Sequence, residues 1–236
     1  MDKFSTWTDL NNLRIGFIPV GSLEQHGYHL PINTDSIIAE AIANELGNFF
    51  KDSFIAPVLP YSASYEHSDF PGSISLQSTT IISIIKDVVH SLERMGIQKC
   101  IIINGHGGNY LLGNISQEMN VDRHRLMVAP NRKHWENAYK NAGISSSISE
   151  DMHAGEGETS ILLHLSKEKN IVKKDKYVDV ESSRRDFLTV VGMKPYTKTG
   201  AIGYPTRANA EKGEMLLHHL VKQIESTVRE FVNLGT

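Results

Sequence analysis

Short unbroken apolar runs alternate along the chain with longer stretches whose apolar residues recur every three or four positions. The runs RIGFIPV (14–20), SFIAPVLPY (53–61), KCIIIN (99–104) and RLMVAP (125–130) read as strands, and KCIIIN has the continuous apolar character of a strand buried on both faces. The periodic stretches predict helices over 35–50, 78–96, 109–119, 134–143, about 156–168 and about 209–232. In the helix over 78–96, Ile81, Ile84, Ile85, Val88, Val89 and Leu92 form the apolar stripe. Ser78 is expected to cap it and Gly96 to end it. Gly213 reads as a weak point early in the last helix. Residues 171–208 are mixed and polar, which predicts loops with an irregular strand or two.

Strand–helix–strand alternation predicts an α/β fold with a mainly parallel sheet between helical layers. No repeat, low-complexity tract or linker divides the 236 residues, so one domain over 1–236 is expected. Composition adds little: 40% hydrophobic and 22% charged residues describe an ordinary globular chain. A net charge of -3 gives no reason to expect nucleic acid or an anionic membrane as partner. No apolar run approaches the roughly 18 residues of a membrane span, and the polar start MDKFSTWTDLNN does not resemble a signal peptide. With Cys100 as the single cysteine, a cytoplasmic protein without a disulfide framework is expected.

The chemistry concentrates at three junctions. IPVGSLEQHGYHLPINTD (18–35) carries Glu24, His26, His29 and Asp35 just past a strand. In IIINGHGGN (101–109), His106 follows a buried strand among Gly105, Gly107 and Gly108, which allow a tight bend and close approach to a ligand. DMHAGEGETS (151–160) places His153 ahead of a helix with Glu156 and Glu158 in its first turn. In open α/β sheets, ligands gather beyond the carboxyl ends of the strands. Carboxylates mixed with imidazoles suit Zn²⁺, Mn²⁺ or Fe²⁺ better than Ca²⁺ or Mg²⁺. With Glu24 and His106 on one ion and His26 on another, Asp35 is the natural bridge; taken alone, it could equally be a helix N-cap. Glu156 is expected to complement the helix dipole, and His29 to be a structural histidine. A two-metal centre of this kind lowers the pKa of a shared water and yields a hydroxide nucleophile at neutral pH.

The motifs PVGSLEQHGYHLPINTD, FPGSISL (70–76), INGHGGN, HAGEGETS and GAIGYPTRANAEKGE (200–214) together resemble the creatininase family of metal-dependent amidohydrolases, in the family's order. The resemblance implies a three-layer α/β/α sandwich with a mostly parallel sheet. It also implies two divalent metal ions per chain (Zn²⁺ first, Mn²⁺ or Fe²⁺ as alternatives) and a homo-oligomer, a hexamer in many members. It makes Glu24, His26, Asp35 and His106 metal ligands and His153 the catalytic histidine. Creatininase proper takes a further glutamate where this chain has Gly108; Glu158 is the expected replacement, as ligand and catalytic group.

The tryptophan and the acidic residue that precede the family's catalytic histidine are also missing, with Met152 in the acidic position, so creatinine itself is not expected as substrate. His67, Trp135 and Arg207 are weaker candidates for substrate contact. The expected activity is hydrolysis of a C–N bond in a small polar cyclic amide or formamide by a metal-bridging hydroxide. The formamidopyrimidine deformylase of riboflavin and deazaflavin synthesis is one concrete form. Opening of a sugar-derived cyclic ketone or lactone is the enzymatic alternative. A metal-holding protein that has lost catalysis is the non-enzymatic one.

Overall fold

A computed structural model describes residues 1–182 and 184–235; Ser183, inside the mixed polar stretch, and Thr236 lie outside the described residues. Four strands, β1 (Ile15–Val20), β2 (Ser53–Ile55), β3 (Lys99–Asn104) and β4 (Leu126–Ala129), form one parallel sheet in the order β2-β1-β3-β4. The helices are α1 (Thr34–Phe49), α2 (Ser78–Arg94), α3 (Leu111–Met119), α4 (Arg132–Asn141), α5 (Glu156–Leu165), the short α6 (Leu188–Val191) and α7 (Ala210–Asn233). Residues alternate across the sheet, as period-two strands must. Phe17, Ile101 and Ile103 pack on one side with α1, α4, α5 and α7. Ile18, Val20 and Ile102 pack on the other with α2 and α3. The result is the expected three-layer α/β/α sandwich around a parallel sheet.

Three local expectations need correction. The 53–61 run is a strand only to Ile55. The chain still runs beside β1, with Ala56 N donating to Phe17 O and Leu59 N to Pro19 O. Helix α2 begins at Ser78 rather than being capped by it, and its first amides reach the Gln77 carbonyl instead. Within α2, Ile84 and Val88 are only half-buried, so the core stripe narrows to Ile81, Ile85, Val89 and Leu92. Gly96, at φ 93°, does end that helix region as glycine's left-handed freedom predicts. The 171–208 stretch contains α6 and two isolated bridges, His153 with Ile202 and Val180 with Gly203.

Candidate metal centre

The parallel register pairs Val20 with Asn104, so β1 and β3 release their chains side by side at the same sheet edge. Both exits are glycine. A Cβ on Gly21 would lie 2.5 Å from Ser36 Cα, and one on Gly105 would run into the Asp35 carbonyl. Two main chains therefore press directly on the first turn of α1, which carries Asp35 between them. The third junction arrives from α5, whose N-terminal loop is pinned by buried Asp151. That carboxylate accepts from Glu156 N, from Gly157 N at 2.7 Å and from Tyr139 Oη at 3.1 Å. His153 exchanges both backbone hydrogen bonds with Ile202, and Ala154 takes a positive φ of 50°, a strained conformation of the kind that clusters at functional sites.

Glu24, His26, Asp35, His106, His153 and Glu158 converge. His26 Nε2 lies 2.9 Å from Asp35 Oδ1 and 4.0 Å from Glu158 Oε2. His106 Nδ1 lies 3.2 Å from both Glu24 Oε2 and Asp35 Oδ2, and His153 Nδ1 lies 3.8 Å from Glu24 Oε1. Three triples keep their ligand atoms within 4.8 Å of one another: Glu24–Asp35–His106, His26–Asp35–Glu158 and Glu24–His26–His153. Glu24, His26 and Asp35 each belong to two of the three, Asp35 to the first two. Glu24 Oε1 and Asp35 Oδ2 are buried without a hydrogen-bond partner. An unpaired carboxylate oxygen in dry surroundings is costly, and a cation among these oxygens and imidazole nitrogens removes that cost. The donor set fits borderline divalent ions such as Zn²⁺, Mn²⁺ and Fe²⁺.

Electrostatics within the cage divide the histidines. Burial disfavours a charged His26, yet Asp35 and then Glu158 and Glu24 outweigh it and raise its pKa to about 10. His106 is likewise raised well above the usual value, burial being overcome by Glu24, Asp35 and Glu66. Burial, His26 and His67 push His153 well below its usual value. Burial also raises Glu158, to about 7, with Asp35 adding to the rise against the pull of His26.

These shifts set a pH dependence for the metal-free protein. A histidine raised from 6.5 to about 10 contributes stability that is fully present below 6.5 and lost as pH rises through 10. A carboxyl raised from 4.5 to about 7 acts with the same sign, its contribution lost by about 7. A metal replaces those protons, so its affinity rises over the same range. The difference in Tm between zinc-loaded and chelator-treated protein should widen steadily from about pH 6.5 to about pH 9. A difference that is flat with pH would contradict this ionisation scheme.

A cavity of about 500 Å³ opens beside the cage, lined among others by His106, Tyr110, Arg132, Trp135, Tyr139, Asp151, Met152, Glu158 and Arg185. Trp135 stands at the cavity. His67 is buried inside the cage instead, its Nε2 3.2 Å from Glu24 Oε1. Arg207 stands elsewhere: its guanidinium stacks 3.8 Å from the Tyr204 ring and donates to Ser146 Oγ. His29 meets Thr159 Oγ1 at 3.0 Å, as befits a structural histidine. Glu156 does more than complement a dipole; it is fully buried and paired with Lys212 Nζ at 2.6 Å, tying α5 to α7.

Sequence reasoning missed Gln25, Glu66 and Asp151. The space that a side chain on Gly108 would need is filled by the Glu66 carboxylate, which lies 3.4 Å from His106 Nε2. The only signal for Gln25 and Glu66 was adjacency, since each precedes a histidine of the cage.

The sequence model of the creatininase family, described as creatinine amidohydrolase, matches residues 3–228. This chain belongs to the creatininase family. Creatininase-family relatives include the mycofactocin precursor peptide peptidase of Mycolicibacterium smegmatis, 29% identical over 223 residues covering 91% of this chain and 84% of that protein. The 2-amino-5-formylamino-6-ribosylaminopyrimidin-4(3H)-one 5'-monophosphate deformylase of Methanococcus maripaludis is 39% identical over 107 residues, 45% of this chain and 47% of that protein. A solved creatinine amidohydrolase superposes with a TM-score of 0.83 at 22% identity, over 99% of this chain and 97% of that one, which shows the shared fold. Two further creatininase structures, described as a Zn-Zn type and as Mn, give TM-scores of 0.78 and 0.75 at 24% and 22% identity, each over 96% of both chains. Creatininase-family membership makes the chain an amidohydrolase, a hydrolase acting on C–N bonds. Among the described residues no helix is long and apolar enough to cross a membrane.

Proposed function

We propose that this chain is a dinuclear metal-dependent amidohydrolase that cleaves the C–N bond of a small polar substrate, a cyclic amide or a formamide. The observation that carries the reading is Asp35, common to Glu24–Asp35–His106 and His26–Asp35–Glu158 with its two oxygens facing His106 and His26, while Glu24 Oε1 and Asp35 Oδ2 are buried without partners. Glu24 and His106 would hold one ion, His26 and Glu158 the other, with Asp35 between them. Bound divalent ions supply Lewis-acid polarisation of the carbonyl and a more acidic water. The chain supplies the rest. His153 is neutral, and its Nε2–H is committed to the Gln25 carbonyl at 2.7 Å, which leaves Nδ1 free to accept a proton from the attacking water. The same nitrogen then passes that proton to the leaving amine. Trp135 and Tyr110 line the cavity as flat apolar walls for a planar substrate.

Arg185 adds a substrate feature. It lines the cavity, its guanidinium donates to Ser182 O, to Ser149 O at 2.7 Å and to Ser149 Oγ, and it has no carboxylate partner among the described residues. A substrate with an anionic group away from the scissile bond satisfies it, as in a formylated amino acid or a phosphorylated formamide. Arg185→Gln should raise KM about tenfold or more for such substrates, the scale of a charged hydrogen bond. It should leave a neutral formamide unchanged; equal loss on both would remove Arg185 from substrate recognition.

A single-domain, cytoplasmic homo-oligomer of hexameric size completes the proposal, on the strength of the family resemblance. The decisive experiment is metal analysis of freshly purified protein, followed by a formamide and cyclic-amide screen with that metal restored. Two ions per chain and turnover abolished by chelation are expected. Fewer than one ion per chain after reconstitution would end the dinuclear reading.

A further inference from the structure

Gln25 sits between the two ligands of the SLEQH segment, yet its own side chain is buried and reaches neither ligand. Its amide orientation is fixed by main-chain groups alone. Oε1 accepts from Gly27 N at 2.9 Å, and Nε2 donates to the Gly200 carbonyl at 3.0 Å. Flipping the amide would set oxygen against oxygen at Gly200 and donor against donor at Gly27. The cradle is shaped for this side chain. Gly27 and Gly200 both have positive φ, 63° and 93°, and a Cβ on Gly200 would occupy the place of Gln25 Oε1.

Two histidines then have no choice of tautomer. An amide NH₂ has two hydrogens and no acceptor capacity. One goes to Gly200 O; the other goes to His67 Nδ1, 2.9 Å away. His67 must therefore accept at Nδ1, which places its proton on Nε2, the nitrogen 3.2 Å from Glu24 Oε1. His153 Nε2 lies 3.2 Å from the same amide nitrogen but only 2.7 Å from the Gln25 carbonyl, which can only accept. His153 thus carries its proton on Nε2, and the 3.2 Å approach is a contact between donors. Its Nδ1 lone pair is left facing Glu24 Oε1 at 3.8 Å.

We infer that Gln25 is a positioning residue that sets the proton placement of the cage: its amide puts the His67 proton on Nε2, the side of the ring that faces Glu24, and its carbonyl puts the His153 proton on Nε2, leaving the Nδ1 lone pair facing Glu24. The site thereby presents one N–H edge and one lone-pair edge towards the same carboxylate. This arrangement concerns only hydrogen bonds within the chain, so it stands or falls separately from the amidohydrolase chemistry.

The test is two-bond ¹H–¹⁵N correlation spectroscopy of histidine-labelled full-length protein, with and without Zn²⁺, the rings being assigned with His67→Asn and His153→Asn. In the wild type both rings should show a pyrrole-type Nε2, with His67 Nδ1 pyridine-type. In Gln25→Glu the carboxylate can only accept, so the His67 proton should move to Nδ1. His153, held by a main-chain carbonyl, should keep its pattern. Gln25→Met, which removes the amide without adding charge, should leave His67 in a mixture of tautomers and again spare His153; it serves where the glutamate variant does not fold. A His67 ring with an unchanged Nε2–H pattern in either folded variant overturns the inference, as does a wild-type His67 carrying its proton on Nδ1.

Discussion

Asp35→Asn should empty the metal centre and reduce turnover to background. The substitution keeps the shape of the side chain but replaces one carboxylate oxygen by an NH₂ and removes the charge. Oδ1 faces His26 Nε2 at 2.9 Å and Oδ2 faces His106 Nδ1 at 3.2 Å, so whichever way the amide turns, a donor displaces an acceptor inside the cage. Burial opposes an ionised Asp35, but His26 and His106 hold its carboxyl far below the usual carboxylate range, so the charge is present at every working pH. Changes to residues behind a metal ligand typically cost about 10–100-fold in affinity. Loss of a carboxylate whose two oxygens face ligands of both proposed ions should exceed that. Metal content by mass spectrometry and kcat/KM on any substrate found for the wild type are the readouts. The metal-free variant should also melt lower, because breaking a buried charged pair costs about 3–5 kcal/mol. A variant that keeps two ions and its turnover would refute the central role of Asp35.

Gly213→Ala should destabilise the fold by about 3 kcal/mol or more, at or beyond the top of the usual overpacking range. Helix propensity alone predicts the opposite sign, since alanine is favoured over glycine by about 1 kcal/mol inside a helix. Packing decides. A Cβ on Gly213 would run into the Ser160 carbonyl and lie 2.9 Å from Ile161 N, so α7 has to move away from the backbone of α5. For a domain of this size each kcal/mol lowers Tm by about 2–4 °C, which gives a fall of about 6–12 °C. Because α5 carries Glu158 in its first turn, the same displacement should weaken metal binding. A variant as stable as the wild type would mean that the two helices separate at no cost.

The sheet was legible because its strands are short apolar runs that nothing else could explain, and KCIIIN in particular is buried along almost its whole length. The cluster of Glu24, His26, Asp35 and His106 was legible for a related reason. Ionisable groups immediately beyond a buried strand need a common partner, and glycines beside them mark close main-chain approach. What stayed hidden depends on contacts between distant segments. Glu66 filling the space above Gly108, His67 turned into the cage and Gln25 bound to Gly200 across 175 positions leave no local pattern. Gly213 was misjudged for the same reason: within its own helix it is a weak residue, and only the neighbouring backbone makes it necessary. Arg207 looked like a binding residue on a polar loop, yet an aromatic ring and a serine already engage it.

The two glycines that let strand ends rest on the first turn of α1 also divide the protein into parts that can change separately. Gly21 and Gly105 set the spacing of the ligand-bearing segments through main-chain contact, so the identity of any one donor side chain is not what holds the others in place. The walls around the reacting bond come from other segments, with Trp135 on α4, Met152 before α5 and Arg185 ahead of α6. Substrate preference can therefore be reshaped at Trp135, Met152 or Arg185 without exchanging a donor, whereas His106 and Glu158 belong to both the cage and the cavity, so a change at either touches both. A glycine-to-alanine change at position 21 or 105 has no such freedom, because it moves the frame on which both depend.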